Sequence, residues 1–147
     1  MIIQQISVFV ENKPGTLAEI LGVLKGHDIN LRALSVADTS DFGILRMIVT
    51  EPEKVEKLFH DTGYAVKSTP VLTIAIPDTP GGLLEQVDKL SSAGINIEYV
   101  YAFAAKAANE ARVVFKVDDL EKAARIISGE TEAAAGREKG EVPGFYW

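Results

Sequence analysis

The sequence contains one short segment twice, and this repeat restricts the possible folds more than any other feature. The two copies read Val10-Glu11-Asn12-Lys13-Pro14-Gly15-Thr16-Leu17 and Ile76-Pro77-Asp78-Thr79-Pro80-Gly81-Gly82-Leu83. Each copy follows an alternating apolar run, which is typical of a strand, and precedes an apolar run at helical spacing. We therefore predict a strand-to-helix turn at both positions, called here the first turn (residues 12–17) and the second turn (residues 78–83).

The residues around the first turn predict one complete small domain. Pro14 suits the first position of the helix, where its missing N–H has no consequence. The predicted elements, in order, are a strand at 6–10, a helix at 17–24, strands at 29–36 and 44–49, a helix at 53–59 and a strand at 64–67. This β-α-β-β-α-β order is that of the ferredoxin-like split βαβ unit.

The second half repeats the same order, which indicates an internal duplication of a whole domain. We predict a first domain at 1–69, a second domain at 70–129 and a C-terminal tail at 130–147. No alternating run stands where the second domain needs its fourth strand. Three alternatives remain open: the aromatic end of the tail supplies the strand, a partner chain covers that sheet edge, or the tail is disordered.

Composition excludes several classes of protein. The formal net charge is −6 and the basic residues are scattered, which argues against binding to nucleic acid or to an anionic membrane. No apolar run is long enough to span a bilayer, and the N-terminus lacks the pattern of a secretory signal. Cysteine is absent, so disulfides and thiolate sites are excluded. These features predict a cytoplasmic protein.

The sequence shows no pattern of catalytic residues. The two histidines, His27 and His60, stand far apart and neither has a counterpart in the second half, and neither belongs to a metal-binding motif. The Pro80-Gly81-Gly82 segment is too short for a dinucleotide fingerprint or a Walker loop. We therefore predict that the protein is not an enzyme and that it uses no metal and no cofactor.

The two turns do have the chemistry of a binding site. A helix start presents free backbone N–H groups and a positive dipole end, which suit a carboxylate or phosphate, and Gly15 and Gly81 permit close approach. Asn12 and Asp78 can accept hydrogen bonds from a ligand ammonium group. The amides of Asn30 and Asn96, at the start of the second strand of each copy, can donate and accept. Such a combination suits a zwitterion. The alternative is purely structural: Asn12 and Thr79 cap helices, and Asn30 and Asn96 satisfy local backbone.

These motifs resemble the ACT domain, twice over. The resemblance rests on an Asp or Asn, then Pro-Gly, an apolar helix and the later Ile-Asn, and it covers nearly all of residues 1–128. It implies two ferredoxin-like domains of α+β class packed side by side, with antiparallel sheets and helices on one face. It also implies a regulatory module that holds its ligand at a domain interface. The implied ligand-binding residues are Asn12, Lys13, Gly15, Asn30, Asp78, Thr79, Gly81 and Asn96.

We therefore expect a tandem ACT protein that senses an amino acid or a similar small zwitterion. A homodimer is expected from the exposed sheet edges, and a metabolic enzyme or a regulator is a candidate partner. Two alternatives stay open. The protein is a regulatory interaction subunit that docks on a metabolic enzyme without binding ligand, or it is a small enzyme of the acylphosphatase type. The second alternative needs an Arg and an Asn at one phosphate loop, which Arg46 and Arg112 do not supply.

Overall fold

The computed structural model describes residues 1–38, 41–104 and 108–129. It divides into two compact units, and the boundary falls inside two long strands. The first unit is Gln4–Thr69, and the second combines Met1–Ile3 with the described residues from Pro70 on. The elements are β1 (Ile2–Glu11), α1 (Thr16–Gly26), β2 (Leu31–Asp38), β3 (Phe42–Val49), α2 (Pro52–Asp61), β4 (Ala65–Pro77), α3 (Gly82–Ser92), β5 (Ile97–Ala102), β6 (Glu110–Val117) and α4 (Leu120–Ser128).

The first unit has the strand order β2-β3-β1-β4, and β3 pairs antiparallel with both β1 and β2. Its core forms on one face of the sheet, because Ile6 and Val8 alternate with the polar Gln5 and Ser7 along β1. Both helices contribute to this core. The buried side chains are Ile20 and Leu24 from α1, Val55 and Phe59 from α2, and Ile6, Val8, Leu45, Met47 and Val49 from the sheet, with Ile29 between α1 and β2.

The second unit repeats this arrangement with β6 antiparallel to both β4 and β5. Leu72 lies opposite Phe115 in β6, and Val100 of β5 lies opposite the same residue. Leu90 of α3 and Ala123 of α4 pack with Leu72 and Phe115 in one core. The predicted fold class, α+β with antiparallel strands and helices on one face, is confirmed for the described residues.

The position of a fourth strand in the second unit is occupied by the start of the chain. The Thr73 N–H donates to the Met1 carbonyl oxygen at 2.8 Å, and the Met1 amino group donates to the Thr73 carbonyl oxygen at 3.2 Å. A reciprocal exchange of this kind is the pattern of an antiparallel pair. None of the three predicted alternatives included it. Those alternatives concern residues 130–147, which lie outside the described residues.

The ends of α1 and α3 show how closely the two copies agree. After each helix one residue adopts the left-handed conformation, Asp28 with φ 56° and Gly94 with φ 76°. Aspartate is one of the few residues other than glycine that tolerate this conformation. Asp28 therefore adopts the backbone conformation that Gly94 has at the equivalent position of the second unit.

Candidate functional site

The first turn is a β-turn that leads directly into α1. The Thr16 N–H donates to the Lys13 carbonyl oxygen at 3.4 Å, and Gly15 has φ 90° and ψ −17°. These angles are those of the third residue of a type II turn, which favours glycine there and proline one position earlier. Gly15 is the N-cap and the helix begins at Thr16. The prediction that Pro14 occupies the first helical position is therefore wrong, because the type II turn uses its fixed φ instead.

The second turn has the same backbone geometry. The Gly82 N–H donates to the Thr79 carbonyl oxygen at 3.0 Å, and Gly81 has φ 87° and ψ −5°. Gly81 is the N-cap of α3. The residue at the start of each turn is also held in the same way, because the Asn12 N–H donates to the Asp41 carbonyl oxygen and the Asp78 N–H to that of Asn109.

Both helices start without a side-chain cap. In α1 the first helical hydrogen bond runs from the Glu19 N–H to the Gly15 carbonyl oxygen at 2.9 Å. The N–H groups of Leu17 and Ala18 have no acceptor among the described residues, as expected for the first residues of a helix. The N-cap positions belong to Gly15 and Gly81, so the interpretation of Asn12 and Thr79 as the N-cap residues is wrong. The free N–H groups at the helix start favour an anionic group.

The residue after the glycine differs between the two turns. Thr16 occupies this position in the first turn, and its Oγ1 atom is buried with no hydrogen-bond partner in the described structure. Gly82 occupies it in the second turn and is itself buried. A Cβ atom at Gly82 would overlap the Pro77 backbone carbonyl oxygen. The first turn therefore has an unused hydroxyl group where the second turn has no room for a side chain.

Two cavities flank the first turn, and Thr16 lines both. The α1–β2 cavity has a volume of about 200 Å³. Its lining includes Leu17, Ile20 and Val36 as apolar groups, and Asn12, Lys13 and Asp38 as polar groups.

The α1–β4 cavity has a volume of about 330 Å³ and includes Lys13, Glu19, Thr62 and Tyr64 in its lining. Predicted residues Asn12 and Lys13 thus lie beside a cavity.

Charged and hydroxyl groups beside the first turn are largely paired with one another. Lys13 Nζ lies 3.0 Å from Glu11 Oε2 in an exposed ion pair, which is worth little to stability. The Tyr64 hydroxyl donates to Glu19 Oε1. This hydrogen bond, together with burial and the negative charge of Glu19, raises the pKa of Tyr64 to about 12. The Tyr64–Glu19 bond connects the N-terminal end of helix α1 to the segment before β4.

Asn30 lies at the other end of the first unit. Val10 and Asp38 are both opposite Gly43, so the first turn lies at the end of the sheet where β2 finishes. Asn30 precedes the start of β2 and therefore lies at the opposite end. The 11 residues of α1 separate the two ends by about 16 Å. One unit alone does not bring Asn30 to Gly15.

The backbones of Asn30 and Asn96 hold the strands together in equivalent ways. The Asn30 N–H donates to Thr50 Oγ1 at 3.2 Å, and its carbonyl oxygen accepts from the Thr50 N–H at 3.1 Å. In the second unit Asn96 makes the same two bonds with Asp118 Oδ1 and the Asp118 N–H, at 3.0 and 3.1 Å. In all of these bonds Asn30 and Asn96 use backbone atoms. Their side-chain amides are exposed and take no part in them.

The described residues do not form the phosphate loop of a small hydrolase. Arg46 lies opposite Ser7 in β1, and its neighbours Leu45 and Met47 face the core on the other side of the sheet. Arg112 lies 3.8 Å from Glu110 in an ion pair. Within the described ranges, no group of three or more His, Asp or Glu side chains is placed to hold a metal ion. No described helix has the length and apolar character needed to cross a membrane.

Thr16, Asp38, Glu19 and Tyr64 were not predicted as site residues. The difference between Thr16 and Gly82 was visible in the repeat, but only the structure shows that the hydroxyl is buried and unpaired. The other three come from different elements, and their proximity to the first turn depends on the packing of α1 against the sheet and the α2–β4 segment.

Solved structures support the fold. A protein of Bacteroides thetaiotaomicron is 42% identical, with a TM-score of 0.80 and 86% of each chain covered. The ligand-free regulatory subunit of aspartate kinase from Thermus thermophilus is 15% identical, with a TM-score of 0.64, covering 90% of this chain and 98% of that one. The regulatory subunit of aspartate kinase from Thermus flavus is 17% identical, with a TM-score of 0.58 and coverages of 86% and 93%.

The comparison with curated proteins finds no match. The sequence matches the family described as the ACT domain pair over residues 1–134. This fold is typical of regulatory, ligand-binding domains, and the resemblance predicted from the two turns is confirmed. The chain belongs to the ACT domain pair family.

Proposed function

We propose that this protein is a regulatory sensor that binds an amino acid, or a similar small zwitterion, at a Pro-Gly turn. The proposal rests mainly on the helix start behind a type II turn, where the Leu17 and Ala18 N–H groups have no acceptor among the described residues and lie beside a cavity. The ligand carboxylate binds these groups and the positive end of the helix dipole. Its ammonium group is bound by nearby acceptors such as Asn12.

Ligand binding becomes regulation when the ligand prefers one of two states of the protein. A ligand shifts such an equilibrium only by its difference in affinity for the two states. We propose that a partner enzyme or regulator responds to this shift. The homodimer, the cytoplasmic location and a ligand held between domains stay predictions from the sequence and the family.

The test is a thermal shift and calorimetric screen of the full chain against the twenty amino acids. We expect one class of amino acid to raise the melting temperature and to release or absorb heat with saturation. Ammonium acetate at equal ionic strength is the control, because it supplies both charges without joining them in one molecule. No response to any of the twenty would refute the sensor function and favour the interaction subunit.

Asn30 and Asn96 stay predicted ligand contacts and need a separate test. Their side-chain amides are exposed, and each lies at the end of its unit away from the turn. If either amide is buried against ligand, replacing it with alanine weakens binding by about 1–3 kcal/mol. Unchanged affinity in both Asn30→Ala and Asn96→Ala would remove them from the site.

A further inference from the structure

We propose that the first turn is the amino-acid site, that the second turn is structural, and that the ligand has an aliphatic side chain held in the α1–β2 cavity. This inference rests on the proposed function, because it assigns that function to one of two equivalent turns. The backbone does not distinguish them, since Gly15 and Gly81 have nearly the same angles. The distinction comes from the side chains.

Thr16 supplies the first argument. Buried hydroxyl groups are normally hydrogen-bonded, and an exception calls for a physical explanation. Thr16 Oγ1 is buried and has no partner among the described residues, although its residue lines the α1–β2 cavity. A ligand carboxylate in this cavity would accept a hydrogen bond from the hydroxyl while also binding the N–H groups of Leu17 and Ala18. The ligand thereby pairs with a hydroxyl for which residues 1–38, 41–104 and 108–129 supply no partner.

The second turn lacks this donor and lacks the space for one. Gly82 stands at the position of Thr16, and the Pro77 carbonyl oxygen occupies the volume that a Cβ atom would need. Close approach of backbone to backbone is a common reason for a glycine. The Pro-Gly geometry of the second turn therefore serves to join β4 to α3.

The lining of the α1–β2 cavity indicates the class of ligand. Leu17 and Val36 are 41% and 51% exposed at its rim, and Ile20 forms its buried side. An aliphatic side chain in the cavity would remove this apolar surface from water. Asp38 also lines the cavity and makes no ion pair within the described part of the chain, so its carboxylate can accept a hydrogen bond from the ligand ammonium.

The α1–β4 cavity is a weaker candidate because its polar groups are already paired. Glu19 accepts the Tyr64 hydroxyl. The Thr62 hydroxyl donates to the carbonyl oxygens of Leu58 and Phe59 at 2.9 and 3.1 Å. A ligand there would have to replace existing bonds. Thr16 lines both cavities, so the choice between them rests on this pairing and on the apolar lining of the α1–β2 cavity.

Calorimetric titration of the full chain with valine, leucine and isoleucine tests the proposal. We expect one binding site per chain and weaker binding of aspartate, lysine and glutamine. Thr16→Val keeps the shape of the side chain and removes the hydroxyl, so affinity should fall about tenfold. Thr79→Val makes the same change at the threonine of the second turn, which this proposal removes from the binding site, and it should leave affinity unchanged. Thr16→Ser keeps the hydroxyl and should retain most of the binding.

Asp38→Asn gives a second, independent readout at the same cavity. It should weaken binding about tenfold, because a charged acceptor is lost. Asp28→Asn, at the far end of α1, should have no effect. The melting temperature of ligand-free Thr16→Val should equal or exceed that of the unmodified protein, since an unpaired buried hydroxyl is removed. This measurement separates loss of binding from loss of folding.

Each contrary result would overturn a defined part of the proposal. Two equal sites per chain, or loss of binding in Thr79→Val with none in Thr16→Val, would overturn the assignment to the first turn. Binding restricted to charged or polar amino acids would overturn the aliphatic class. Equal loss in Thr16→Val and Thr16→Ser would overturn the role of the hydroxyl. No binding of any of the twenty amino acids would remove the proposed function itself.

Discussion

The two Pro-Gly turns have the same backbone and different surroundings. Gly15 and Gly81 differ by only a few degrees in φ, and both precede a helix without a side-chain cap. The next residue is Thr16 in one copy, with a buried hydroxyl that has no partner in the described part of the chain. In the other copy it is Gly82, which is packed against a carbonyl group. The comparison teaches that the Pro-Gly motif specifies a turn, whereas the residue after it decides whether a side chain is available to a ligand.

The largest effect should come from adding a side chain after the second turn. Gly82→Ala places a Cβ atom against the Pro77 carbonyl oxygen, which cannot move without disturbing β4. We expect a loss of about 3 kcal/mol in the free energy of unfolding. Thr16→Ala, the matched change in the first turn, should alter it by less than about 0.5 kcal/mol. Urea denaturation measures both, and equal losses would contradict the difference between the turns.

The glycines inside the turns should respond alike. Gly15→Ala and Gly81→Ala meet no neighbouring atom within 4 Å, so the only penalty is the left-handed backbone conformation. Each should lower the free energy of unfolding by about 1–2 kcal/mol. Thermal denaturation of the two variants tests the claim that the backbones are equivalent. A much larger loss at one position would show that the turns differ in conformation as well as in side chains.

A smaller effect should follow from removing the Tyr64 hydroxyl beside the first turn. Tyr64→Phe deletes the hydrogen bond to Glu19 and should lower the free energy of unfolding by about 1 kcal/mol. The ring stays in edge-to-face contact with Phe59, so the core is preserved. An unchanged stability at neutral pH would show that this bond contributes nothing.

The same bond gives a dependence on pH. The folded pKa of Tyr64 is raised to about 12, above the value of about 10 for an unfolded tyrosine. The contribution to stability is therefore fully present below about pH 10 and is lost as the pH rises through 12. Absorbance titration of tyrosinate should show a late-titrating component from Tyr64 that shifts to lower pH in Glu19→Gln. A titration curve unaffected by that substitution would contradict the assignment.

The smallest effect should come from making the two helix ends alike. Asp28→Gly replaces a left-handed aspartate with the residue that the second unit has at this place, Gly94. We expect the free energy of unfolding to rise by about 0.5 kcal/mol. Chemical denaturation with closely spaced urea concentrations resolves such a change. A decrease would show that the Asp28 side chain has a stabilising role of its own.

Sequence periodicity was enough to predict the elements of the first unit and the repeat. The alternation of Ile6, Val8 and Val10 and the spacing of Leu17 to Leu24 report which side is buried, and burial determines the secondary structure. Periodicity does not report which strand lies at a sheet edge. The pairing of Met1 with Thr73 was missed for this reason, because it joins residues from opposite ends of the repeat.

The sequence predicted which site residues lie close together only where they are near one another along the chain. Asn12, Lys13 and Gly15 are consecutive or nearly so, and they do lie together at the first turn. Asn30 was grouped with them by motif, yet the length of α1 separates it from Gly15. The number of residues between two motifs does not give their distance in space, because α1 carries the chain to the opposite end of the unit before β2 begins. Strand β2 then returns toward the first turn, so Asp38 at its end lies beside that turn in the first unit and Asn30 does not.

The central claim is that the first turn binds an amino acid and the second does not. Backbone amide chemical shifts, followed by two-dimensional NMR during titration with leucine, test it most directly. We predict saturable shifts for the amides of Leu17 and Ala18, with those of Leu83 and Leu84 unchanged. Shifts confined to Leu83 and Leu84, or shifts at neither turn, would contradict the claim.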